Sequence, residues 1–141
     1  MKLSDAVEAM RSLLEAPSAA VLALYREDGE AIVAPVWYRV SDDTFEVVMA
    51  SGDRKLPHLR RDPRCILLVF ETLPPFRGVQ VRCRATLAPD DGSRTRLAIA
   101  SRYLGEEHGR RYADTQRHPS GVVVSLPLAD ARAWDLSASL P

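Results

Sequence analysis

Apolar residues recur at two spacings along this chain, and the switches between them predict its elements. Val7, Met10, Leu13 and Leu14 share one helical face within residues 5–15, and Asp5 with Glu8 has the spacing of an N-terminal capping pair. An amphipathic helix therefore opens the chain. The apolar run Ala19 to Tyr25 leads to Asp28-Gly29, a strong hairpin signal, so a second strand from Glu30 to Val40 is expected to pair back on it. After Ser41-Asp42-Asp43, the β-branched and aromatic stretch Thr44 to Ala50 completes a three-stranded meander.

The pattern then changes. Ser51-Gly52-Asp53 breaks the third strand, and Arg54 to Arg61 predicts a short helix with Asp53 as its N-cap. Pro57 is tolerated there because the first-turn N–H groups have no intrahelical partners, and Asp62-Pro63 stops the helix. Cys65 to Phe70 is a continuous apolar run, expected to be a strand buried on both faces. Past a loop over 71–78, Val79, Val81, Cys83, Ala85 and Leu87 alternate with Gln80, Arg82, Arg84 and Thr86, as in one half-buried strand. Beyond the turn at Pro89-Asp90-Asp91-Gly92, Ser93 is the expected cap of a helix that carries Leu97, Ile99, Ala100, Tyr103 and Leu104 as far as Gly105. A polar helix over 107–116 follows, and Val122 to Leu126 and Ala131 to Leu136 are the last strands, kinked apart at Pro127. This order is neither repetitively βαβ nor all-helical. It predicts a mainly β fold of six or seven largely antiparallel strands in a small barrel with flanking helices, as a single domain over residues 1–141.

Composition narrows the class without changing that picture. A chain of 141 residues, 46% hydrophobic and 27% charged, can bury roughly two-thirds of its unfolded surface without disulfide or metal support. Cys65 and Cys83 form neither a disulfide framework nor a CxxC pair, and read as reduced core residues of a reducing compartment. Asp5, Glu8 and Arg11 interrupt the first apolar residues, and no run approaches the roughly 20 residues of a membrane span. A cytoplasmic location is expected.

Charge changes the picture more. The formal net charge is zero, yet residues 1–53 carry 4 basic and 10 acidic side chains while residues 54–117 carry 14 and 7. The middle of the chain should attract anions. Seventeen of the basic residues are arginine, which codon bias accounts for, but bias does not explain the cluster Arg54-Lys55-Leu56-Pro57-His58-Leu59-Arg60-Arg61-Asp62-Pro63-Arg64.

Several kinds of chemistry lack their signatures. The histidines at 58, 108 and 118 have no zinc-site spacing, and there is no GxSxG elbow, P-loop or strand-to-helix GxGxxG. No metal site is expected. What remains is a strand end, the small turn Ser51-Gly52-Asp53, and a helix opening with Arg54-Lys55, where backbone amides and two cations can meet a phosphate. Asp53 would partly repel it. Upstream, Val33-Ala34-Pro35-Val36-Trp37-Tyr38 places a proline within a strand, which requires an edge or a side turned toward something other than a strand.

These blocks, in this order and at this interval, resemble the pyridoxamine 5′-phosphate oxidase-like split-barrel flavoproteins. The resemblance is strongest to the branch that includes enzymes of the deazaflavin coenzyme F420. It runs from about Ala19 to Leu87 and is carried by Ala34-Pro35-Val36-Trp37-Tyr38 and by Ala50-Ser51-Gly52-Asp53-Arg54-Lys55 continuing through Arg64. It implies a six-stranded antiparallel split β-barrel, usually a homodimer, with the cofactor in a groove between subunits. By the same resemblance Ala34, Pro35, Val36 and Trp37, with Ala50 and Ser51, would line the ring system. Arg54, Lys55 and Arg60 would hold the phosphate, and Val79 and Gln80 would approach the cofactor. Pro57-His58 departs from the commonest pattern of the family, which leaves a contact from His58 open.

The resemblance implies an oxidoreductase in which reduced F420 delivers a hydride to a small unsaturated or conjugated substrate. FMN is the alternative cofactor, and a non-catalytic flavin-binding protein is the alternative class. Because such a ring carries the redox chemistry, absence of a triad or metal set is expected. Tyr38, His58 and Tyr103 are candidate proton donors or substrate contacts, each with a packing role as the plainer reading. Trp134 either packs on the barrel, the favoured reading, or borders a partner's cofactor. Nucleic-acid binding is disfavoured because Phe76 stands nearly alone among the cations, without interleaved aromatics.

Overall fold

Burial alternates along three strands closely enough to define the core. The computed structural model describes Glu8 and residues 10–115, 120–128 and 130–141. In β1 (Ala19–Tyr25) the residues Ala20, Leu22 and Leu24 are buried; in β4 (Thr44–Ala50) they are Phe45, Val47 and Met49; in β5 (Arg64–Phe70) they are Cys65, Leu67 and Val69. These rows meet the buried residues Val79, Val81, Val124 and Leu126 in one apolar cluster.

The strands form two antiparallel sheets. With β2 (Ala31–Pro35), β6 (Gly78–Arg84) and β9 (Ala131–Trp134), the five-stranded sheet has the order β2-β1-β5-β6-β9. With β3 (Arg39–Ser41), β7 (Thr86–Pro89) and β8 (Gly121–Pro127), the four-stranded sheet has the order β3-β4-β8-β7. The expectation of six or seven strands is corrected to nine strand segments among the described residues, because two predicted strands are each divided between the sheets.

Both divisions have a local cause. The strand expected over Glu30 to Val40 ends at Pro35, which offers no N–H to a ladder; Val36 donates one last bond to the Ala20 carbonyl at 3.0 Å, and the chain crosses to the other sheet through Trp37 and Tyr38. Pro35 lies on an edge strand, as its presence in a strand requires. The strand expected over Val79 to Leu87 is broken at buried Ala85, whose N–H bonds the Pro63 carbonyl at 2.8 Å, and Thr86 onward pairs with β8. The chain also passes between the sheets from β4 to β5, and a fourth time after Pro127. Inward residues of both sheets point into one core, so alternation runs through such a bend without showing it.

Helices close the margins. The first helix is described over Arg11–Glu15 (α1), with Leu13 and Leu14 buried; Asp5 and Val7 of its expected start lie outside the described residues. The short helix is α2 (Lys55–Arg61); its N-cap position is Arg54 rather than the expected Asp53 and makes no side-chain cap bond, while the Asp53 carboxylate accepts the Lys55 N–H at 2.9 Å just before it. Helix α3 (Arg94–Leu104) ends at Gly105 with φ of 84°, and α4 (Glu106–Thr115) follows; Gln116 and His118 lie outside the described residues. The cap of α3 is a correction. Ser93 is left-handed and makes no side-chain cap bond, and the Asp90 carboxylate instead accepts the N–H groups of Thr95 at 3.1 Å and Arg96 at 3.3 Å.

Burial in β5 also differs from expectation. Ile66, Leu68 and Phe70 are only half-buried, on the outer face of the five-stranded sheet with Val21 and Ala23. On that face the Trp134 ring lies over Gly78, its cross-strand partner, where a side chain would collide with it. No helix among the described residues is long and apolar enough to cross a membrane.

The two thiols, 18 positions apart, prove to be direct cross-strand partners with their sulfurs 3.6 Å apart. Cys65 is buried, and the sulfur contact with Cys83 together with burial pushes its thiol up, whereas the contact from Cys65 lowers that of half-buried Cys83. Limiting alkylation with N-ethylmaleimide at neutral pH, followed by peptide mass spectrometry, should therefore modify Cys83 before Cys65. Equal labelling or the reverse order would contradict this assignment.

Candidate functional site

A short strand leaves the opening. Strand β3 pairs only with Thr44, Phe45 and Glu46, whereas β8 pairs with the whole of β4 on its other side. From Val47 to Ala50, β4 therefore has no strand neighbour on the β3 side among the described residues, and alternate backbone groups face outward as hydrogen-bonding partners for something else. A cavity of about 410 Å³ occupies this gap. Such a volume falls within the range of small-molecule and cofactor sites.

Three walls enclose it. Pro35, Val36 and Trp37 from the first crossing form one, and Val47 to Ala50 with Asp53 and Lys55 form the second. The third comes from the helices: Arg96, Ile99 and Ala100 of α3 and Tyr112 of α4. Trp37 stacks on Tyr103 with centroids 5.1 Å apart and planes 9° from parallel, and Tyr112 tilts against it at 5.3 Å. Trp37 and Tyr112 are each 38% exposed, so the mouth presents an aromatic surface suited to a planar ring.

Several contacts hold the helical wall in place. The Arg102 guanidinium of α3 donates to the carbonyls of Leu14, Glu15 and Ala16 at the end of α1 and lies 5.0 Å from the centre of the Tyr38 ring. The Tyr38 hydroxyl donates to the Leu14 carbonyl at 3.1 Å, and that of Tyr103 donates to the Ser18 carbonyl at 3.0 Å. Burial raises both phenols above their ordinary range. Their hydroxyls are directed to main-chain carbonyls, so these tyrosines fasten the wall and the structure favours the packing reading over proton donation. His58 does not line the cavity.

The eleven residues expected at a cofactor are only partly brought together. Pro35, Val36, Trp37, Ala50 and Lys55 line the cavity. Ala34 turns toward the core opposite Leu22, and Ser51 is an exposed turn residue whose N–H bonds the Ser120 carbonyl at 3.0 Å. Arg54 and Arg60 are exposed and outside the cavity lining. Val79 is 1% exposed in the core, so its side chain is unavailable to a ligand, while Gln80 lies on the outer face of the five-stranded sheet. Lys55 itself is held by Asp53, Nζ to carboxylate 3.1 Å. Among the described residues there is no metal-binding cluster of His, Cys, Asp and Glu.

The helical wall was not anticipated. Arg96 had a readable signal, since it occupies the same helical face as Ile99, Ala100 and Tyr103, where periodicity calls for an apolar side chain. Tyr112 had none, because its meeting with Trp37 depends on how α4 docks.

Comparison with known proteins bears on the fold and the family. The family model described as pyridoxamine 5′-phosphate oxidase matches residues 6–135. No curated protein matches. Among solved structures, a conserved hypothetical protein from Mycobacterium tuberculosis is 24% identical, with a TM-score of 0.80 over 95% of this chain and 88% of its own. An F420 reductase is 22% identical, with a TM-score of 0.72 over 86% of this chain and 94% of its own. A FAD and heme binding protein from Mycobacterium smegmatis is 16% identical, with a TM-score of 0.66 over 89% of this chain and 69% of its own. At these identities the structural likeness concerns the fold, and the family model decides the assignment: this chain belongs to the pyridoxamine 5′-phosphate oxidase family.

Proposed function

We propose that this protein is an oxidoreductase that binds a flavin-type ring, the deazaflavin F420, in the cavity beside β4 and passes a hydride to a small unsaturated or conjugated substrate. The observation that carries this reading is the unpaired Val47–Ala50 edge facing Pro35, Val36 and Trp37, with Lys55 at one end. The ring supplies the hydride chemistry when bound. The chain's residues do the rest. Pro35 to Trp37 and the β4 edge hold a plane between them, the aromatic mouth and the helical wall limit water, and Lys55 supplies a cation for a phosphate. Arg54, one residue earlier, and Arg60 add positive charge near the same helix.

F420 is favoured over FMN by the reach of that charge. Arg54, Arg60, Arg82, Arg84 and Arg132 make no ion pair among the described residues, and a long anionic tail offers more to such a surface than one phosphate does. FMN remains the second reading, in an enzyme or in a non-catalytic flavin-binding protein of the same fold. We read the two sheets, between which the chain passes four times, as the halves of a split barrel. A homodimer accounts for the half-buried Val21, Ala23, Ile66, Leu68 and Phe70 on the outer sheet face, and would bring Gln80 toward a groove between subunits. The unbridged thiols Cys65 and Cys83 suit the cytoplasm.

The test mixes purified protein separately with F420 and FMN and follows fluorescence and equilibrium binding. Micromolar binding of F420 alone supports the leading reading, binding of FMN alone replaces it with the second, and binding of neither overturns both. Lys55→Ala should weaken the bound cofactor by about 1.5–3 kcal/mol, the worth of a charge-assisted hydrogen bond, while leaving the melting temperature nearly unchanged. An unaltered affinity would remove Lys55 from the phosphate site. Turnover of quinones, enones or tetrapyrroles separates an enzyme from a carrier.

A further inference from the structure

Cys65 and Cys83 stand on the inner face of neighbouring strands, in the rows that carry Leu67 and Val69 on β5 and Val79 and Val81 on β6. They are direct cross-strand partners, one position short of the end of the β5–β6 ladder, and their sulfurs are 3.6 Å apart. The ladder also fixes the backbone spacing between them. The Ala85 N–H donates to the Pro63 carbonyl at 2.8 Å, so these two residues form a hydrogen-bonded pair, and antiparallel alternation makes Cys65 and Cys83, two positions along, another. Cα atoms in such pairs are about 5.5 Å apart, inside the range that a disulfide bridges.

The two thiols differ in access. Cys65 is 2% exposed, whereas Cys83 is only half-buried, close to where the chain leaves for β7. A small oxidant therefore meets Cys83 first, and the contact from Cys65 also draws its thiol down toward the reactive thiolate. Access of this kind, beside a second thiol that can resolve the first oxidation product, is the arrangement of a redox-sensing cysteine. The pair is separate from the cavity beside β4, whose lining includes no residue of β5 or β6 among the described residues.

We propose that Cys83 and Cys65 form a peroxide-reactive dithiol, in which Cys83 is oxidised first and Cys65 then closes a disulfide between β5 and β6. The Cys83 sulfur attacks one oxygen of hydrogen peroxide: an S–O bond forms, the O–O bond breaks, and the departing hydroxide leaves as water with the thiol proton. Sulfur is oxidised to the sulfenic acid and the peroxide is reduced. The Cys65 sulfur then attacks the Cys83 sulfur; the S–S bond forms, the S–O bond breaks, and the hydroxide leaves as a second water with the Cys65 proton. A dithiol reductant returns both thiols by exchange. The assignment is independent of the ring-binding reading.

The test adds hydrogen peroxide to the purified full chain, with free cysteine as a parallel control, and counts thiols after denaturation. The count should fall from two to none, and dithiothreitol should restore both. Non-reducing mass spectrometry should find the Cys65 and Cys83 peptides linked within one chain. Cys65→Ser should instead leave a Cys83 sulfenic acid that dimedone traps, while in Cys83→Ser the Cys65 thiol should react about tenfold more slowly. Survival of both thiols under peroxide that consumes the control would overturn the proposal. So would oxidation of Cys83 to sulfinic acid without a bridge, links formed only between chains, or faster oxidation of Cys65 in Cys83→Ser than of Cys83 in Cys65→Ser. The wild-type measurements decide the bridge even where a serine variant fails to fold.

Discussion

Phe45→Ala should cost the fold about 3–5 kcal/mol, the largest loss expected from a single truncation. Phe45 is fully buried as the first residue of the inner row of β4, and its ring meets that of Tyr38 edge-on at 5.5 Å and 74°. Truncation removes the transfer free energy of the ring and the aromatic contact, and leaves a cavity that paired strands on either side cannot collapse to fill. At about 3 °C per kcal/mol for a domain of this size, the melting temperature should fall by about 10 °C or more. Urea unfolding should show a lower midpoint with an unchanged slope. A loss below about 1 kcal/mol would mean that the core is not centred between β4 and the crossing segment at Tyr38.

Gly109→Ala acts on a different weakness and reaches the site. Gly109 is buried where α4 crosses α3, and a Cβ there would stand 2.6 Å from the Ser101 Cα and 2.7 Å from its backbone nitrogen. Those atoms belong to a helix backbone and cannot rotate aside, so the two helices must separate. Overpacking of this kind costs about 1–3 kcal/mol. The displacement also carries Tyr112, three residues along α4, away from Trp37, and so opens the aromatic mouth. Melting temperature and ring-ligand affinity should fall together, with Trp37 emission altered against a Trp134→Phe background. Unchanged stability would show that α4 does not dock on α3 at Gly109.

The candidate site was half legible, and the division has a physical pattern. Pro35 to Trp37, Ala50 and Lys55 lie near turns or chain crossings, where proline, small residues and a helix start are local signals, and all line the cavity. Val79 and Gln80 belong to a regular strand, where alternation tells the two faces apart but not which face a ligand approaches; one proved to be core and the other outer surface. Arg96 and Tyr112 were missed because helix docking, rather than helix formation, brings them to the gap. The capping error has the same origin: Ser93 is the better local candidate, but the turn before α3 delivers the Asp90 carboxylate instead.

By itself the chain determined what short-range physics controls. Its apolar and β-branched runs set β1, β4 and β5, Gly105 ended α3, and Asp53 accepts the Lys55 N–H where α2 begins. These follow from side-chain periodicity, backbone freedom and hydrogen-bond supply within a few residues. Only the tertiary structure decided where Glu30 to Val40 and Val79 to Leu87 pass from one sheet to the other, that Cys65 faces Cys83, and that three residues of β3 leave Val47 to Ala50 open. Pairing, register and helix docking join residues far apart in the chain, and no local pattern encodes which partner a strand edge goes without. The open edge of β4 is such a missing partner, and the proposed function depends on it.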